Sequence, residues 1–328
     1  MRGLVLVVLI IASIHKVGAN QIKWHTVLEL ANETNNIKPI YLYVTSGGDY
    51  FTQKFESETL VNQDVIKLVN EHYYAVKLNP RDTSVYSVAQ KANGGEDLFL
   101  DGKKVNMYSF WQKNKLRATP AHLFLEPNYH SIHTEYGYKP IDEFEILLNY
   151  YSEQKQTEEF EDYRTKFKLQ KAITAILTDV PNNFKNIKGA EDKELTFMTT
   201  TAYNTNALVP NSSKCHVFDM VHGETYKTFY QYRAELASKV TVDSAYKAMD
   251  QWKELLAACD FRTTTKASMV VRKDMIKSRT DVLGQAYFVL VGPAEEYKHV
   301  TIKLSLRPEL LEKDKVSLYF FIENAPDE

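Results

Sequence analysis

An uninterrupted apolar run at 40–44, Ile-Tyr-Leu-Tyr-Val, is the first clear pattern after the N-terminal segment. Because no polar residues alternate with the apolar ones, the run predicts a central strand that is covered on both faces of its sheet. Mostly apolar runs at 73–78 and 121–125 predict two further strands. Between the first two runs, Phe51 and Phe55 stand four residues apart, a spacing that predicts one face of a helix.

Helical periodicity flanks these strands. Apolar residues recur at helical spacing over 24–31 and again over 141–151. The segment 130–136 predicts a strand that pairs with 121–125 as a hairpin. The predicted order is therefore a βαβ unit followed by a hairpin and a closing helix, which is an α/β domain.

The second half of the chain has a different pattern. We predict helices at 226–238 and 242–259, and strands at 267–271, 286–291, 300–306 and 316–322. The segment 301–306 alternates polar and apolar residues, as a half-exposed antiparallel strand does. This half is predicted to be a separate α+β domain with an antiparallel sheet, and it resembles no family known to us.

The N-terminal segment predicts export. A single arginine precedes a mostly apolar run at 4–14, and small residues follow at 17–19, as in a secretory signal peptide. The run is shorter than the about 20 apolar residues that span a bilayer. We expect cleavage near Ala19 and a periplasmic or secreted mature protein without a membrane span. The predicted organisation is a signal peptide at 1–19, a first domain at 20–153, a helical linker at 154–192 and a second domain at 193–328.

Composition narrows the function classes. The 328 residues carry a formal net charge of -2, and no basic run is present, so nucleic acid is not an expected partner. The 21 tyrosines are expected mainly in buried sheet and helix faces. Residue spacing indicates no metal site, and no cofactor is expected. The oligomeric state stays open.

Short motifs add a resemblance in the first domain. They are Trp24, Lys38-Pro39-Ile40, Lys54 with Glu58-Thr59, Val76-Lys77-Leu78-Asn79, and Pro120 with Phe124-Leu125. In this order and spacing the sequence resembles the thioredoxin-like family of extracytoplasmic bacterial proteins over roughly residues 22–153. The resemblance implies a thioredoxin fold, with a thiol-disulfide site at the start of the helix after the first central strand.

The chain departs from that family at the reacting atoms. An ungapped alignment on Glu58-Thr59 places Asp49 and Thr52 at the two positions of the CxxC motif, and neither side chain exchanges disulfides. We predict that Asp49 caps the helix. The resemblance also implies a cis Thr119–Pro120 bond, beside a groove that holds an extended peptide.

Aromatic residues are candidates for lining this groove, which is a vestigial thioredoxin site. They are Tyr50, Phe51 and Trp111. For Phe51 and Trp111, however, packing in the core is the more ordinary expectation. If the groove persists without thiols, its remaining chemistry is recognition of a peptide backbone and its side chains.

The chain has two cysteines, Cys215 and Cys259, both in the second half. In an oxidising compartment they are a candidate disulfide, although sequence alone does not establish their distance. Two functions follow. The favoured one is an exported, redox-inactive thioredoxin-like protein that binds a protein or peptide partner without catalysis. The alternative is a thiol-disulfide oxidoreductase or foldase-like enzyme that uses the second-domain cysteines.

Overall fold

The structure is a computed structural model of the full chain. It describes residues 21–26, 29–30, 38–79, 86–87, 104–105, 111–112, 115–128, 130–152, 159–221, 227–272, 283–309, 312 and 314–324. The predicted signal peptide and most of the segment 81–117 lie outside these residues. No helix within the described ranges is both long enough and apolar enough to cross a membrane.

The chain divides into two compact units, Met1–Phe160 and Glu161–Glu328. This division differs from the predicted linker at 154–192. Helix Phe160–Asp179 buries Leu169, Ile173, Ile176 and Leu177 in the core of the second unit. Residues 161–192 are therefore part of that unit, because the helix supplies apolar side chains to its core.

The first unit contains a mixed five-stranded sheet in the order β1-β3-β2-β6-β7. Its strands are β1 Trp24–His25, β2 Ile40–Val44, β3 Tyr74–Leu78, β6 Ala121–Leu125 and β7 Ser131–Tyr136, while β4 Tyr86–Ser87 and β5 Lys104–Val105 form a separate small ladder. Strand β2 runs parallel to β3 and antiparallel to β6. All its residues are buried, with alternate side chains in two clusters on opposite faces, which confirms the predicted central strand.

Helices cover this sheet. They are α1 Tyr50–Lys54, which continues as a π-helical turn over Phe55–Thr59, α2 Gln63–His72 and α3 Ile141–Ser152. The predicted helix at 24–31 is wrong at its start, because Trp24 pairs with Ala75 in β1. Thr26 and Glu29 exchange capping-box hydrogen bonds, and the described helical residues are Glu29 and Leu30.

The second unit is an eight-stranded antiparallel sheet in the order β12-β13-β14-β15-β11-β10-β9-β8. The elements are α4 Phe160–Asp179, β8 Lys188–Glu191, β9 Thr200–Thr205, β10 Lys214–Val221, β11 Thr228–Thr241, α5 Val242–Ala257, α6 Arg262–Thr265, β12 Ser268–Arg272, β13 Gly284–Val291, β14 Val300–Pro308 and β15 Lys315–Asn324. Helix α5 packs against the sheet, and one face of the sheet carries the core. The predicted α+β class with an antiparallel sheet is confirmed.

Two expectations for this unit need correction. The segment predicted as helix 226–238 is strand β11, which pairs with both β10 and β15. Its side chains alternate between the two faces of the sheet, with Tyr232 and Ala234 in the core. Burial of every second side chain therefore favours a strand over the helix that local propensity predicted. The candidate disulfide is not formed: Cys215 and Cys259 are both free and buried.

Candidate functional site

The candidate site lies where the turn after β2 meets the loop before β6. These two strands are neighbours, and Val44 at the end of β2 pairs with Ala121 at the start of β6. Adjacency of the strands brings the segment 46–52 beside Thr119 and Pro120. The Thr119–Pro120 peptide bond is cis, as the family resemblance implied.

A cluster of oxygen atoms occupies the start of α1. Asp49 is the N-cap: its Oδ1 accepts from the Thr52 backbone N–H at 2.8 Å, and its Oδ2 accepts from the hydroxyls of Thr52 and Ser46 at 2.7 Å each. The Thr119 hydroxyl lies 3.2 Å from Ser46 Oγ and 3.4 Å from Asp49 Oδ2. The turn that delivers Asp49 passes through Gly47 at a φ of 76°, a conformation that glycine adopts readily. The predicted cap is present, and it reaches across to the cis-proline loop.

The Asp49 carboxylate is held in its ionised form. Partial burial acts to raise its pKa, but the hydrogen bonds from Thr52, Ser46 and Thr119 prevail and lower the pKa to about 2. The site therefore carries a fixed negative charge at neutral pH. The hydroxyl groups of Ser46, Thr52 and Thr119 donate to this charge.

Two aromatic side chains stand exposed on the first turn of α1. Tyr50 is 68% exposed and Phe51 is 54% exposed, and their ring centroids are 5.5 Å apart in an edge-to-face arrangement. Core packing was the more ordinary expectation for Phe51, and it is wrong because Thr52 takes the inward position of this turn. Trp111 is half-buried against the core cluster of Ile40 and Leu42. The exposed pair therefore forms an apolar patch next to Asp49.

The backbone at Thr119 is available for pairing. Within the described part of the chain, neither its N–H nor its C=O makes a hydrogen bond, whereas the carbonyl of Pro120 accepts from Gly137 N–H at 2.8 Å. Thr119 is half-buried at the surface of the site. An extended chain laid beside Thr119 could receive one donor and one acceptor from it, as in the addition of a strand to a sheet.

A buried histidine lies on β6, in the strand that follows the cis proline. His122 on β6 accepts a hydrogen bond at Nδ1 from the Tyr41 hydroxyl, 2.9 Å away, and its Nε2 lies 3.0 Å from the Gly137 carbonyl oxygen. The rings of Tyr43 and Phe55 pack against it. Sequence reasoning did not select His122; its signal was a lone histidine inside an apolar strand.

The sequence of the first unit was compared with models of known protein families. Residues 28–152 match the family model of the thioredoxin-like domain. The sheet order, the helix after β2 and the cis proline before β6 agree with that match. The first unit is a thioredoxin-like domain.

Solved structures give two further likenesses to this chain. A thioredoxin-fold protein from Helicobacter pylori is 22% identical, with a TM-score of 0.34, over 40% of this chain and 81% of that one. A DsbH oxidoreductase is 12% identical, with a TM-score of 0.28, over 38% of this chain and 81% of that one. Among curated proteins, no sequence matches.

Three residues of the family motif, Lys54, Glu58 and Thr59, make contacts between two segments of the thioredoxin-like domain near the site. The Thr59 hydroxyl is buried and donates to the Lys139 carbonyl at 2.8 Å. Glu58 accepts from the Tyr138 hydroxyl at 2.7 Å, and the Lys54 ammonium lies 4.5 Å from the centre of the Tyr138 ring. These contacts tie the helical segment after the site to the loop before α3, so the motif has a structural role that is independent of thiols.

Proposed function

We propose that the thioredoxin-like domain is a non-catalytic binding domain of an exported protein, and that it recognises an extended peptide segment of a partner protein. The proposal is carried by the Thr119 N–H and C=O, which have no hydrogen-bond partner among the described residues, and by the exposed Tyr50 and Phe51. The partner's backbone would pair with Thr119, while an apolar side chain of the partner would pack on the two rings. The predicted signal peptide at 1–19 supports a periplasmic or secreted location.

The chemistry of the two cysteines supports binding over catalysis. Burial raises the pKa of the Cys259 thiol to about 12, and its Sγ donates to the Leu255 carbonyl at 3.3 Å. Cys215 is also buried, and its Sγ lies 3.1 Å from Ser212 Oγ. A reactive cysteine needs an accessible thiolate. Both thiols are buried and therefore not accessible.

Selection from a random peptide library tests the proposal. The mature protein, residues 20–328, serves as the target, and the affinities of selected peptides are measured by fluorescence anisotropy. We expect Tyr50→Ala and Phe51→Ala each to weaken binding by roughly ten-fold, as at central residues of an interface. Val61→Ala is the matched control, because Val61 is 58% exposed in the same domain but does not belong to the site.

The backbone contact has its own test in the ligand. Each amide of a selected peptide is methylated in turn, which removes one N–H donor at a time. We expect methylation at one position to weaken binding by roughly ten-fold, since the Thr119 carbonyl would then lose its partner in the complex. Failure to select peptides above an albumin background would contradict the proposal. Reduction of insulin that survives Cys215→Ser and Cys259→Ser would contradict its non-catalytic part.

A further inference from the structure

On the outer face of the second unit's sheet, opposite the core, the guanidinium groups of two arginines lie over aromatic rings. The Arg233 guanidinium lies 4.1 Å from the centre of the Phe218 ring and 5.6 Å from that of Tyr319. The Arg307 guanidinium lies 5.9 Å from the Tyr319 ring centre and 5.1 Å from that of Phe321. Phe321 is fully buried under this layer. The rings hold both guanidinium planes in place and contribute cation–π attraction.

Within the part of the chain that the structure describes, these two arginines lack the carboxylate partners that neighbouring cations have. Lys303 pairs with Glu323 at 2.7 Å, and Lys239 pairs with Glu312 at 2.8 Å. In the described ranges, no carboxylate lies within ion-pair distance of Arg233 or Arg307. The Arg307 Nε is buried and has no hydrogen-bond partner there. A buried guanidinium N–H without an acceptor is costly, so this atom marks a place that a ligand oxygen would fill.

The two guanidinium groups line a cavity of about 370 Å³, a volume within the range of small-molecule sites. Its other charged walls are Lys239, Glu309 and Glu312. Glu312 is paired with Lys239, and Glu309 accepts from the Ser317 hydroxyl. Among the described lining residues, three cations face two carboxylates, and the excess positive charge lies on the two arginines. Burial and the like charge of Arg307 contribute to a lowered pKa at Arg233, which an anion would reverse.

We propose that this cavity is a binding site for the carboxylate group of a small organic molecule that also has an aromatic or apolar part. The planar forks of Arg233 and Arg307 match a carboxylate, and the Tyr319 ring faces the rest of the ligand. A dianionic phosphate fits less well, because Glu309 and Glu312 would repel its second charge. The site is in the second unit and does not depend on the peptide-binding proposal.

Benzoate is a suitable probe, with neutral benzamide as its isostere. Titration calorimetry and ligand-observed NMR on the mature protein should show saturable benzoate binding below about 10 mM, the range for a fragment of this size. Benzamide should bind at least about ten-fold more weakly, since it lacks the charge that the arginines recognise. This comparison uses the unaltered protein and so does not depend on the folding of a variant.

Variants then locate the site. Arg233→Gln and Arg307→Gln should each weaken benzoate binding by roughly ten-fold, the effect of losing one charged hydrogen-bond partner. Lys193→Gln removes an exposed positive charge from the same unit outside the cavity and should leave binding unchanged. Equal binding of benzoate and benzamide, unchanged affinity in both arginine variants, or tighter binding of inorganic phosphate than of benzoate would overturn the proposal.

Discussion

At the scale of single residues, His122 in the thioredoxin-like domain is fully buried, and both of its ring nitrogens make hydrogen bonds. A carbonyl oxygen only accepts hydrogen bonds, so Nε2 carries the proton that points to Gly137, and Nδ1 accepts from Tyr41. Burial lowers the pKa of His122 from its usual 6.5 to about 4. The domain therefore contains a histidine that stays neutral across the physiological range.

Stability should depend on pH through this residue. Between pH 6.5 and about 4, an unfolded chain binds a proton at His122 that the folded domain excludes. Stability gained from this site is therefore present above pH 6.5 and is lost as the pH falls toward 4. We expect a loss of about 2 kcal/mol between pH 7 and pH 5.

Urea unfolding at both pH values checks this expectation. Unfolding is monitored by tryptophan fluorescence in a Trp252→Phe background, so that the remaining tryptophans report on the first unit alone. His122→Gln should be less stable at pH 7 and should lose the steep part of the pH dependence. His130→Gln, at an exposed histidine, is the matched control and should behave as the parent protein does. An unchanged pH dependence in His122→Gln would show that other groups cause it.

At the scale of elements, the start of α1 keeps one feature that favours thiol chemistry, a backbone N–H donor at the N-cap. The Thr52 N–H points at the side chain of residue 49, and such a donor stabilises a thiolate as well as a carboxylate. We expect Asp49→Cys combined with Thr52→Cys to form a disulfide between the N-cap and the first turn of α1 and to reduce insulin in the presence of dithiothreitol. Thiol titration and the insulin turbidity assay measure these two outcomes.

The matched control for this gain of activity is Asp49→Ser combined with Thr52→Ser, which should stay inactive. The buried Cys215 and Cys259 remain in both proteins and give the same background. If the cysteine variant keeps both new thiols reduced in air, then the helix start does not hold the two positions in disulfide geometry, and the vestigial-site interpretation loses its structural basis.

The sequence predicted an element correctly where a short stretch of residues was enough to define it. Strands β2 and β6 were predicted with the bounds that the structure has, because uninterrupted apolar runs of this length are typical of buried strands. Strand β11 was predicted as a helix, since its alternation is weak where the strand leaves the core. Its pairing with β10 and β15 joins residues distant in sequence, and no local pattern contains that information.

The candidate site was also predicted only in part. The sequence placed Asp49, Thr52, Thr119 and Pro120 in one site, because the family motifs locate both of the loops that carry them. Ser46 was missed as a member of the hydroxyl network, because its contribution depends on where Thr119 lies in space. The cavity at Arg233 and Arg307 left no sequence signal, since its cations come from β11 and β14, which β15 separates in the sheet.

At the scale of the whole molecule, each unit has its own hydrophobic core. The second unit combines α4, α5 and its sheet around one cluster, whereas the first has separate clusters on the two faces of its sheet. We therefore expect residues 161–328, produced alone, to fold and to unfold cooperatively, because the fragment retains all the core residues of its unit.

Circular dichroism and the dispersion of amide NMR signals measure the folding of this fragment. A fragment that begins at residue 193, as the predicted linker would suggest, is the natural comparison. It should be unstable, because it lacks the buried face of α4. Equal stability of the two fragments would show that α4 is dispensable and that the predicted linker was the better boundary.

The oxygen-only network around Asp49 has a kinetic consequence. A ligand beside a thiol site can be trapped as a mixed disulfide, and its release then waits for a second thiol or an electron donor. Asp49, Ser46, Thr52 and Thr119 offer no atom that can form such a bond. For the peptide that we propose binds here, occupancy would accordingly depend on its concentration and on its association and dissociation rates, and not on whether the surroundings are oxidising or reducing.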